Sequence, residues 1–328
     1  MSLSHAELRS LAKEIANFVL HRLRKHQAFV EKKSSSSELQ KQYYQILNEA
    51  TKSGVIETFY SSSKKLMAVL IIHSNKTGPL RVPSIDCLVE FNTRSIQAKK
   101  WVFAKLLENK NLLNENFCLF LDSHYKSTLK DLLKLGLYVD LKVTVGNPKV
   151  ALAALKKKYT LPNDLSHLGL SVEPLKNKSQ AKKIVEIFSS ELKHNSAYRW
   201  FKGNKKYLNQ RLKQLIKSIH NPNCFSFVIK KGRTVVGYFY VDINKKDPIF
   251  KSRSNTEFIF DKSIQGMGIS KWAYSFLLKI MVQNRIKTFI GGTNQLSILH
   301  LNKVMKRQSF AFVVRKGKPI LPLDLLIK

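Results

Sequence analysis

The chain has 328 residues, 44% of them hydrophobic, and a formal net charge of +35 at pH 7. This apolar fraction supplies a packed core and excludes a disordered tail, and the length suffices for one large domain or two ordinary ones. Such a charge favours polyanions, so RNA or an acidic protein is a candidate partner. Because the lysines are spread along the whole chain without an RNP, KH or zinc-finger signature, we do not take polyanion binding as the function.

The sequence also bears on the compartment. The longest apolar run, residues 66–72, is too short to span a bilayer, so no transmembrane segment is expected. The first residues lack the apolar stretch of a secretory signal. Cys87, Cys118 and Cys224 are odd in number and widely spaced, which argues against a disulfide framework or a zinc site. We therefore expect a cytoplasmic protein with buried free thiols.

The N-terminal half predicts a mixed set of elements. Apolar residues at helical spacing predict helices over 5–30, 38–50, 96–107, 125–135 and 148–159. β-branched and aromatic runs predict strands over 55–60, 66–73, 83–91, 117–121 and 139–145. Leu161-Pro162-Asn163-Asp164 then predicts a linker, so residues 1–160 form the first expected domain.

The C-terminal half, 165–328, is expected to form a second domain. Its predicted strands are 168–172, 225–230, 235–243, 258–260, 288–291 and 310–315, with a hairpin turn at 231–233. Its predicted helices are 180–192, 207–219, 269–280 and 295–307.

A glycine-containing turn joins the strand 258–260 to the helix that begins at Ile269. The turn reads Gln265-Gly266-Met267-Gly268-Ile269-Ser270. Glycine allows a ligand to approach the backbone, and a helix N-terminus favours negative charge, so this arrangement is typical of a phosphate site. It is not a dinucleotide fingerprint, which needs a third glycine, nor a P-loop, which needs Gly-Lys-Ser/Thr.

This turn resembles the acetyl-CoA site of the GNAT-type N-acetyltransferases. Their signature is Arg/Gln-x-x-Gly-x-Gly/Ala between a strand and a helix, and here Gln265, Gly268 and Ser270 stand at its three fixed positions. The order of elements over 168–316 also matches the family. The resemblance implies an α+β (α/β/α) fold with a mixed, mostly antiparallel sheet flanked by helices. It also implies transfer of an acetyl or short acyl group from acetyl-CoA (acyl-CoA) to an amine acceptor by direct attack.

The resemblance implies which residues hold the cofactor. The strand that pairs with the pantetheine arm would be Phe258, Ile259 and Phe260, whose backbone would also polarise the thioester carbonyl. The pyrophosphate would lie on the turn and first helical residues: Gln265, Gly266, Met267, Gly268, Ile269, Ser270 and Lys271. Asn294 and Asn302 are further candidate cofactor contacts, although Asn294 is equally explained as a helix cap.

The catalytic groups are less clearly marked. Glu257 opens the strand where family members often carry a carboxylate base; the alternative is an exposed strand-end glutamate. The family's acid is a tyrosine in the last helix before Leu-Gly-Phe, but here the sequence has Gln308-Ser309-Phe310 and no tyrosine. His300 is the candidate acid, or else a surface or packing residue, and the thiolate could also leave without a dedicated donor.

The acceptor is not encoded by any motif. In the family the loop between the first two helices borders the acceptor site. That loop here carries Tyr198, Trp200 and Phe201, which would line an acceptor pocket or else pack the helix pair onto the sheet.

A local repeat links the two halves. Ser95-Ile96-Gln97 precedes Lys100-Trp101, and Ser263-Ile264-Gln265 precedes Lys271-Trp272. The first copy lacks residues equivalent to Gly-Met-Gly. We therefore hypothesise that the N-terminal domain is a degenerate copy of the fold without a cofactor, which shapes the substrate cleft or the domain interface.

Two alternatives to the acyl-CoA-dependent enzyme stay open. A Fem-like aminoacyl-tRNA-dependent transferase also resembles two such domains side by side, and the net charge of +35 would suit tRNA. A non-catalytic binding protein of the same fold would account for the missing tyrosine.

Overall fold

The computed structural model describes residues 3–26, 36–75, 84–92, 94–109, 117–123, 125, 129–194, 205–247, 249–293, 295–316 and 321–327. The helices are α1 (His5–His26), α2 (Ser36–Ser53), α3 (Ile96–Glu108), α4 (Leu129–Leu133), α5 (Pro148–Lys158), α6 (Lys178–His194), α7 (Lys205–Ile219), α8 (Ile269–Gln283), α9 (Leu296–Val304) and α10 (Leu323–Ile327). The strands are β1 (Val55–Tyr60), β2 (Leu66–Asn75), β3 (Ser84–Phe91), β4 (Phe117–Asp122), β5 (Leu137–Gly146), β6 (Leu170–Pro174), β7 (Cys224–Lys231), β8 (Thr234–Asp247), β9 (Lys251–Phe260), β10 (Thr288–Thr293) and β11 (Gln308–Lys316). The fold is therefore α+β, with helices that flank a mixed, mostly antiparallel sheet, as predicted.

The chain divides into two compact units. The first comprises residues 1–143, 248–251 and 309–328, and the second comprises 144–247 and 252–308. These bounds differ from the predicted domains 1–160 and 165–328. The last strand, β11, pairs with β4 inside the first unit, and α5 buries Ala151 and Leu155 in the core of the second. Pairing between distant strands and the burial of α5 therefore determine which residues belong to each unit. A local sequence signal for a linker reports on neither.

Each unit contains the same order of elements. The first runs α1, α2, β1–β3, α3, β4, and the second runs α6, α7, β7–β9, α8, β10. In both, the opening strand pair is antiparallel, and the third strand runs parallel to the fourth. The parallel pairs begin at Ile85↔Phe117 in the first unit and Thr288↔Arg253 in the second. A helix bridges each parallel pair, as the connection between parallel neighbours requires.

The second unit buries apolar side chains on both faces of its strands. Side chains alternate along β8 and β9, so Phe239 faces one helical layer while Tyr238 and Tyr240 face the other. The layer of α5, α8 and α9 covers the first face, and α6 and α7 cover the second. The predicted hairpin turn at 231–233 joins β7 to β8, with Gly232 at φ +59°.

Some element bounds differ from the prediction. β9 begins at Lys251 rather than 258, because its polar first half is held by pairing with β10 and not by its own strand propensity. The last long helix ends at Val304 rather than 307, since Lys306 adopts φ +54° and turns the chain. The helix predicted over 125–135 is the shorter α4, and the predicted helical residues 27–30 lie outside the described residues.

Helix length and cysteine state are two further observations. In the described part of the chain, every helix is too short or too polar to cross a bilayer. Cys87 and Cys118 are buried free thiols, as predicted, and burial raises the pKa of both, to about 12 for Cys118. Cys224 is a free thiol that is partly exposed.

Candidate functional site

The segment from β9 to α8 builds the predicted loop. The amide N–H of Asp261 donates to the carbonyl of Val236 at 2.8 Å, which fixes the end of β9 against β8. The Asp261 carboxylate then accepts from the N–H and hydroxyl of Ser263 at 2.9 and 2.6 Å, and so starts a short 3-10 turn at Lys262–Ile264. Residues 265–268 follow as an exposed loop, and α8 begins at Ile269.

The loop glycines shape an open helix N-terminus. Gly266 and Gly268 adopt φ +82° and +76°, and a Cβ added at either would meet no described atom within 4 Å. Gly268 is the N-cap of α8 and supplies no side chain to accept from the first-turn N–H groups. Because uncapped N–H groups and the helix dipole both favour an anion, the loop fits a phosphate-bearing ligand such as acetyl-CoA.

Basic side chains border this loop. Lys158, His167 and Lys271 line a cavity of about 330 Å³ that also reaches Gly268. The Lys271 ammonium lies 4.5 Å from the centroid of the Tyr159 ring, which places it as a cation–π contact at the loop. The charge around the open helix N-terminus is therefore positive, which strengthens its preference for an anion.

The parallel strands β9 and β10 pair over only part of their length. Arg253–Asn255 pair with Thr288–Ile290, and within the described residues the β9–β10 ladder has no pair beyond these positions. Both strands continue, to Phe260 and Thr293 respectively. The ends of the two strands, residues 256–260 and 291–293, therefore have no backbone pairing with each other, and we call the space between them the fork. An extended ligand in the fork would meet the β9 backbone.

Side chains of the predicted β9 stretch hold the strand in place. Phe258 and Phe260 pack toward α8, and the ring centroids of Phe258 and Tyr274 are 4.4 Å apart. Ile259 is 4% exposed and packs toward α6 and α7. Gln265 donates from one amide nitrogen to the Phe260 carbonyl at 2.8 Å and the Glu191 carboxylate at 3.1 Å. It therefore ties the loop to β9 and α6.

Glu257 lies on the α6–α7 side of the sheet. Its Oε2 accepts from Nη2 of Arg211 in α7, a residue that is 2% exposed, whereas the Glu257 side chain is 26% exposed. The guanidinium also stacks over Phe188 at 4.7 Å. Burial alone would lower the pKa of Arg211, but the Glu257 carboxylate and three nearby tyrosines together more than offset this, and the pKa is raised. Glu257 is thus a partly exposed carboxylate held by a buried cation.

The two predicted residues of α9 face different ways. His300 is exposed. Asn302 is 4% exposed, and its Oδ1 accepts from Nη1 of Arg307 at 2.9 Å. The predicted residues Asn294, Tyr198, Trp200 and Phe201 lie outside the described residues. The structure therefore brings Asn302 toward the fork and leaves His300 on the surface of the helix.

Sequence reasoning missed three polar residues near the fork: Arg211, Tyr274 and Arg307. Arg211 had a signal, since it stands at i+4 from Tyr207 and i−4 from Leu215 on an otherwise apolar helix face. Tyr274 lies within the apolar pattern of α8 and is 4% exposed, so it was not distinguished from core residues. Arg307 follows α9 in an irregular turn, where periodicity gives no information.

The corresponding fork of the first unit is filled. The Tyr125 hydroxyl accepts from the Phe91 N–H at 2.9 Å and donates to the Phe91 carbonyl at 2.8 Å, at the end of β3. The two rings stack with centroids 4.2 Å apart. The helix that follows, α3, is capped by Ser95, whose side chain accepts from Ala98 N–H at 3.1 Å. In the first unit, protein groups thus take up both backbone groups of the last β3 residue and the helix cap, whereas in the second unit the Phe260 carbonyl accepts from Gln265 and α8 has no side-chain cap.

Comparisons with known proteins place the fold. No family model and no curated protein matches the sequence. Among solved structures, a GCN5-related N-acetyltransferase from Sphaerobacter thermophilus is similar, with a TM-score of 0.54, 9% identity, and 95% of each chain covered. A tandem GNAT protein from the clavulanic acid biosynthesis pathway has a TM-score of 0.50 and 8% identity, with 94% of this chain and 95% of that chain covered. At this identity the likeness concerns the fold alone, and the chain has the fold of the GNAT-type N-acetyltransferases, as the loop motif and the order of elements predicted.

Proposed function

We propose that this protein is an N-acyltransferase that transfers an acetyl or short acyl group from acyl-CoA to an amine. The observation that carries the proposal is the fork between β9 and β10, which opens toward an uncapped helix N-terminus. A phosphate-binding end and an extended strand edge in one continuous site match a ligand with a diphosphate and a linear amide-containing arm.

Each part of the site has a proposed role. Residues 265–271 bind the diphosphate through first-turn N–H groups, and Lys271 adds charge. Phe258–Phe260 orient the arm through backbone groups, while their side chains anchor the strand in the core. When bound, acetyl-CoA supplies an acyl thioester that the acceptor amine attacks directly. The protein must position the amine, remove its proton and stabilise the departing thiolate.

Glu257 is the proposed base. Arg211 engages Oε2, so Oε1 is the oxygen available to an ammonium group or to a bridging water. The partial exposure of Glu257 and its position on the α6–α7 side support this role, because the predicted acceptor loop joins those two helices. Arg211 would then position the carboxylate and would not itself contact the amine.

We further infer that the first unit binds no acyl-CoA. Tyr125 already takes up the backbone N–H and carbonyl at the end of β3, where the arm would pair, and Ser95 caps the helix that would face the diphosphate. One cofactor per chain follows from this.

A second candidate is an aminoacyl-tRNA-dependent transferase, which the net charge of +35 favours. The same charge makes RNA or an acidic protein a candidate partner for the enzyme proposed here. Of the two donors we favour acyl-CoA, because it carries a diphosphate that the uncapped N-terminus of α8 could bind, whereas aminoacyl-tRNA carries none.

An acceptor screen tests the proposal. The full chain would be incubated with acetyl-CoA and panels of amines, peptides and amino sugars, and release of free CoA thiol would be followed together with the mass of the acceptor. We expect acceptor-dependent thiol release and an acceptor mass increase of one acetyl group. Stabilisation of the protein against heat by aminoacyl-tRNA, with none by acetyl-CoA, would favour the second candidate instead.

A further inference from the structure

A polar cluster lies where the β9–β10 ladder ends. The last pair is Asn255↔Ile290, and Thr256 and Gly291 follow it on the two strands. A Cβ added at Gly291 would lie 3.1 Å from Arg307 Nη2 and 3.6 Å from Thr256 Oγ1. The Arg307 guanidinium therefore lies over Gly291 at the closed end of the fork.

Arg307 is a cation held by neutral groups. Its Nη1 donates to Asn302 Oδ1 at 2.9 Å, and its Nη2 donates to the carbonyls of Thr144 at 2.7 Å and Gly291 at 3.3 Å. The guanidinium stacks 4.5 Å from the Phe289 ring, and Nε is buried without a hydrogen-bond partner. In the described part of the chain no carboxylate forms an ion pair with Arg307. A partly buried cation with only neutral oxygens around it loses hydration without gaining a counter-charge, and such a site favours an incoming negative charge.

Tyr274 completes the cluster from α8. Its ring packs on Phe258, the residue is 4% exposed, and its hydroxyl lies beside the Arg307 guanidinium and Thr256. Burial raises the pKa of Tyr274, and the Arg307 charge opposes that rise. The hydroxyl therefore keeps its proton at neutral pH and can act as a hydrogen-bond donor next to a cation.

The cluster has a defined place relative to the proposed function. If residues 265–271 bind the diphosphate, the arm runs back along β9 from Phe260 toward Thr256, and its thioester end meets the closed end of the fork. Among the described residues, the Tyr274 hydroxyl and the Arg307 guanidinium lie at that end, beside Thr256.

We propose that Tyr274 and Arg307 form the leaving-group site of this transferase, in place of the tyrosine that is missing from the last helix. As the carbon–sulfur bond breaks, its electron pair passes to sulfur, and the Tyr274 hydroxyl donates a hydrogen bond to the thiolate while keeping its proton. The Arg307 charge stabilises the thiolate, which leaves as such or takes a proton from solvent. The amine supplies no proton to the thiol directly, because its protons leave by way of the base and solvent. This inference rests on the proposed function.

Ionisation of the bound CoA thiol tests the inference without turnover. The thiolate of CoA bound to the full chain would be titrated by its ultraviolet absorbance in wild type and in Tyr274→Phe. We expect the bound thiol of the wild type to titrate at least about one pH unit below the ordinary thiol range near 8.5. Tyr274→Phe should move that titration up by about one unit, while CoA affinity at low pH stays within about threefold.

A matched variant separates a local effect from a general one. Tyr238→Phe removes another buried hydroxyl of the same unit, 3.3 Å from the Ser226 hydroxyl on the opposite face of the sheet. It should leave the thiol titration unchanged. With an acceptor identified, Tyr274→Phe should lower kcat by roughly 10²-fold with the KM for acetyl-CoA nearly unchanged.

Arg307→Lys is a second test, since it keeps the positive charge but loses the planar guanidinium and its several N–H donors. It should shift the thiol titration upward by less than Tyr274→Phe does. A wild-type titration in both variants, or a fall in melting temperature without a titration shift, would overturn the leaving-group site while leaving the proposed function intact. Failure of the wild-type chain to bind CoA would overturn both.

Discussion

At the scale of single residues, Arg211 constrains Glu257 on the α6–α7 side of the second unit. It is 2% exposed, donates to Glu257 and stacks on Phe188, so its charge is neutralised by one carboxylate. Removing one partner of such a pair leaves the other charge uncompensated, whereas removing both often costs little.

A double-mutant cycle tests this dependence. We expect Glu257→Gln to lower the free energy of unfolding by about 1–3 kcal/mol, since Arg211 keeps a hydrogen-bond acceptor but loses its counter-charge. Arg211→Met retains packing volume against Phe188, and the double variant should be more stable than the sum of the single effects implies, by about 1 kcal/mol or more. Chemical denaturation measures all four proteins. Additive effects would mean that the pair is not coupled.

The proposed base gives a kinetic prediction for the same residue. Glu257→Gln cannot accept a proton, so the rate near neutral pH should fall by roughly 10²–10⁴-fold and partly recover at high pH, where more of the amine is neutral. Acetyl-CoA affinity should stay near that of the wild type, because the proposed diphosphate contacts are at residues 265–271. If Glu257→Gln has the pH–rate profile of the wild type, Glu257 is not the base and serves only as the ion-pair partner of Arg211.

At the scale of the elements, the proposed function makes the loop before α8 the determinant of cofactor affinity. Gly268→Asp places a carboxylate at the proposed diphosphate site, and we expect it to weaken acetyl-CoA binding by about 2–4 kcal/mol, which is about 30- to 1,000-fold. Calorimetric titration measures the change.

The β7–β8 hairpin offers a control for backbone strain. Gly232 also has a positive φ, +59°, and open space around an added Cβ, so Gly232→Asp introduces similar strain away from the loop. It should leave acetyl-CoA affinity unchanged. Equal affinity losses in the two variants would assign the effect to stability and not to the diphosphate site.

The sequence predicted the elements of this site better than its contacts. Strand, loop and helix over 258–280 follow from β-branched and aromatic residues, two glycines and helical spacing, which are local signals. The partners of Glu257 and Asn302 depend on side chains distant in sequence, Arg211 and Arg307 among them. Neither contact leaves a periodic signal, because each joins elements that meet only when the sheet assembles.

At the scale of the whole molecule, contacts between residues far apart in sequence also explain why the bounds of the two units differ from the predicted domains. β11 belongs with β4 because their residues pair, although about 190 positions separate them in sequence. A composition change at 161–164 marks a loop inside the second unit and not a boundary. Order and type of elements could therefore be predicted, and the assignment of the last strand could not.

The first unit carries a buried charge cluster that should make stability depend on pH. The Glu90 carboxylate lies 2.6 Å from Arg22 and near Asp122, and burial raises the pKa of Glu90 to about 7. A carboxyl with a raised folded-state pKa binds more protons when folded, so its stabilising effect is full below about pH 4.5 and is lost as pH rises through 7.

We therefore expect the free energy of unfolding to fall by about 2–3 kcal/mol between pH 5 and pH 8 from this group. Glu90→Gln cannot titrate, and it should flatten that part of the stability profile. Denaturation at a series of pH values measures both proteins. Parallel profiles for wild type and Glu90→Gln would show that other groups set the pH dependence.

The central claim is one acyl-CoA site, in the second unit, in a chain whose first-unit fork is filled. Native mass spectrometry of the full chain with increasing acetyl-CoA tests it most directly. We expect a single saturable adduct of one acetyl-CoA per chain, abolished by Gly268→Asp and retained in Gly232→Asp. Two equivalent adducts per chain, or none at concentrations well above those of cellular cofactors, would contradict the account.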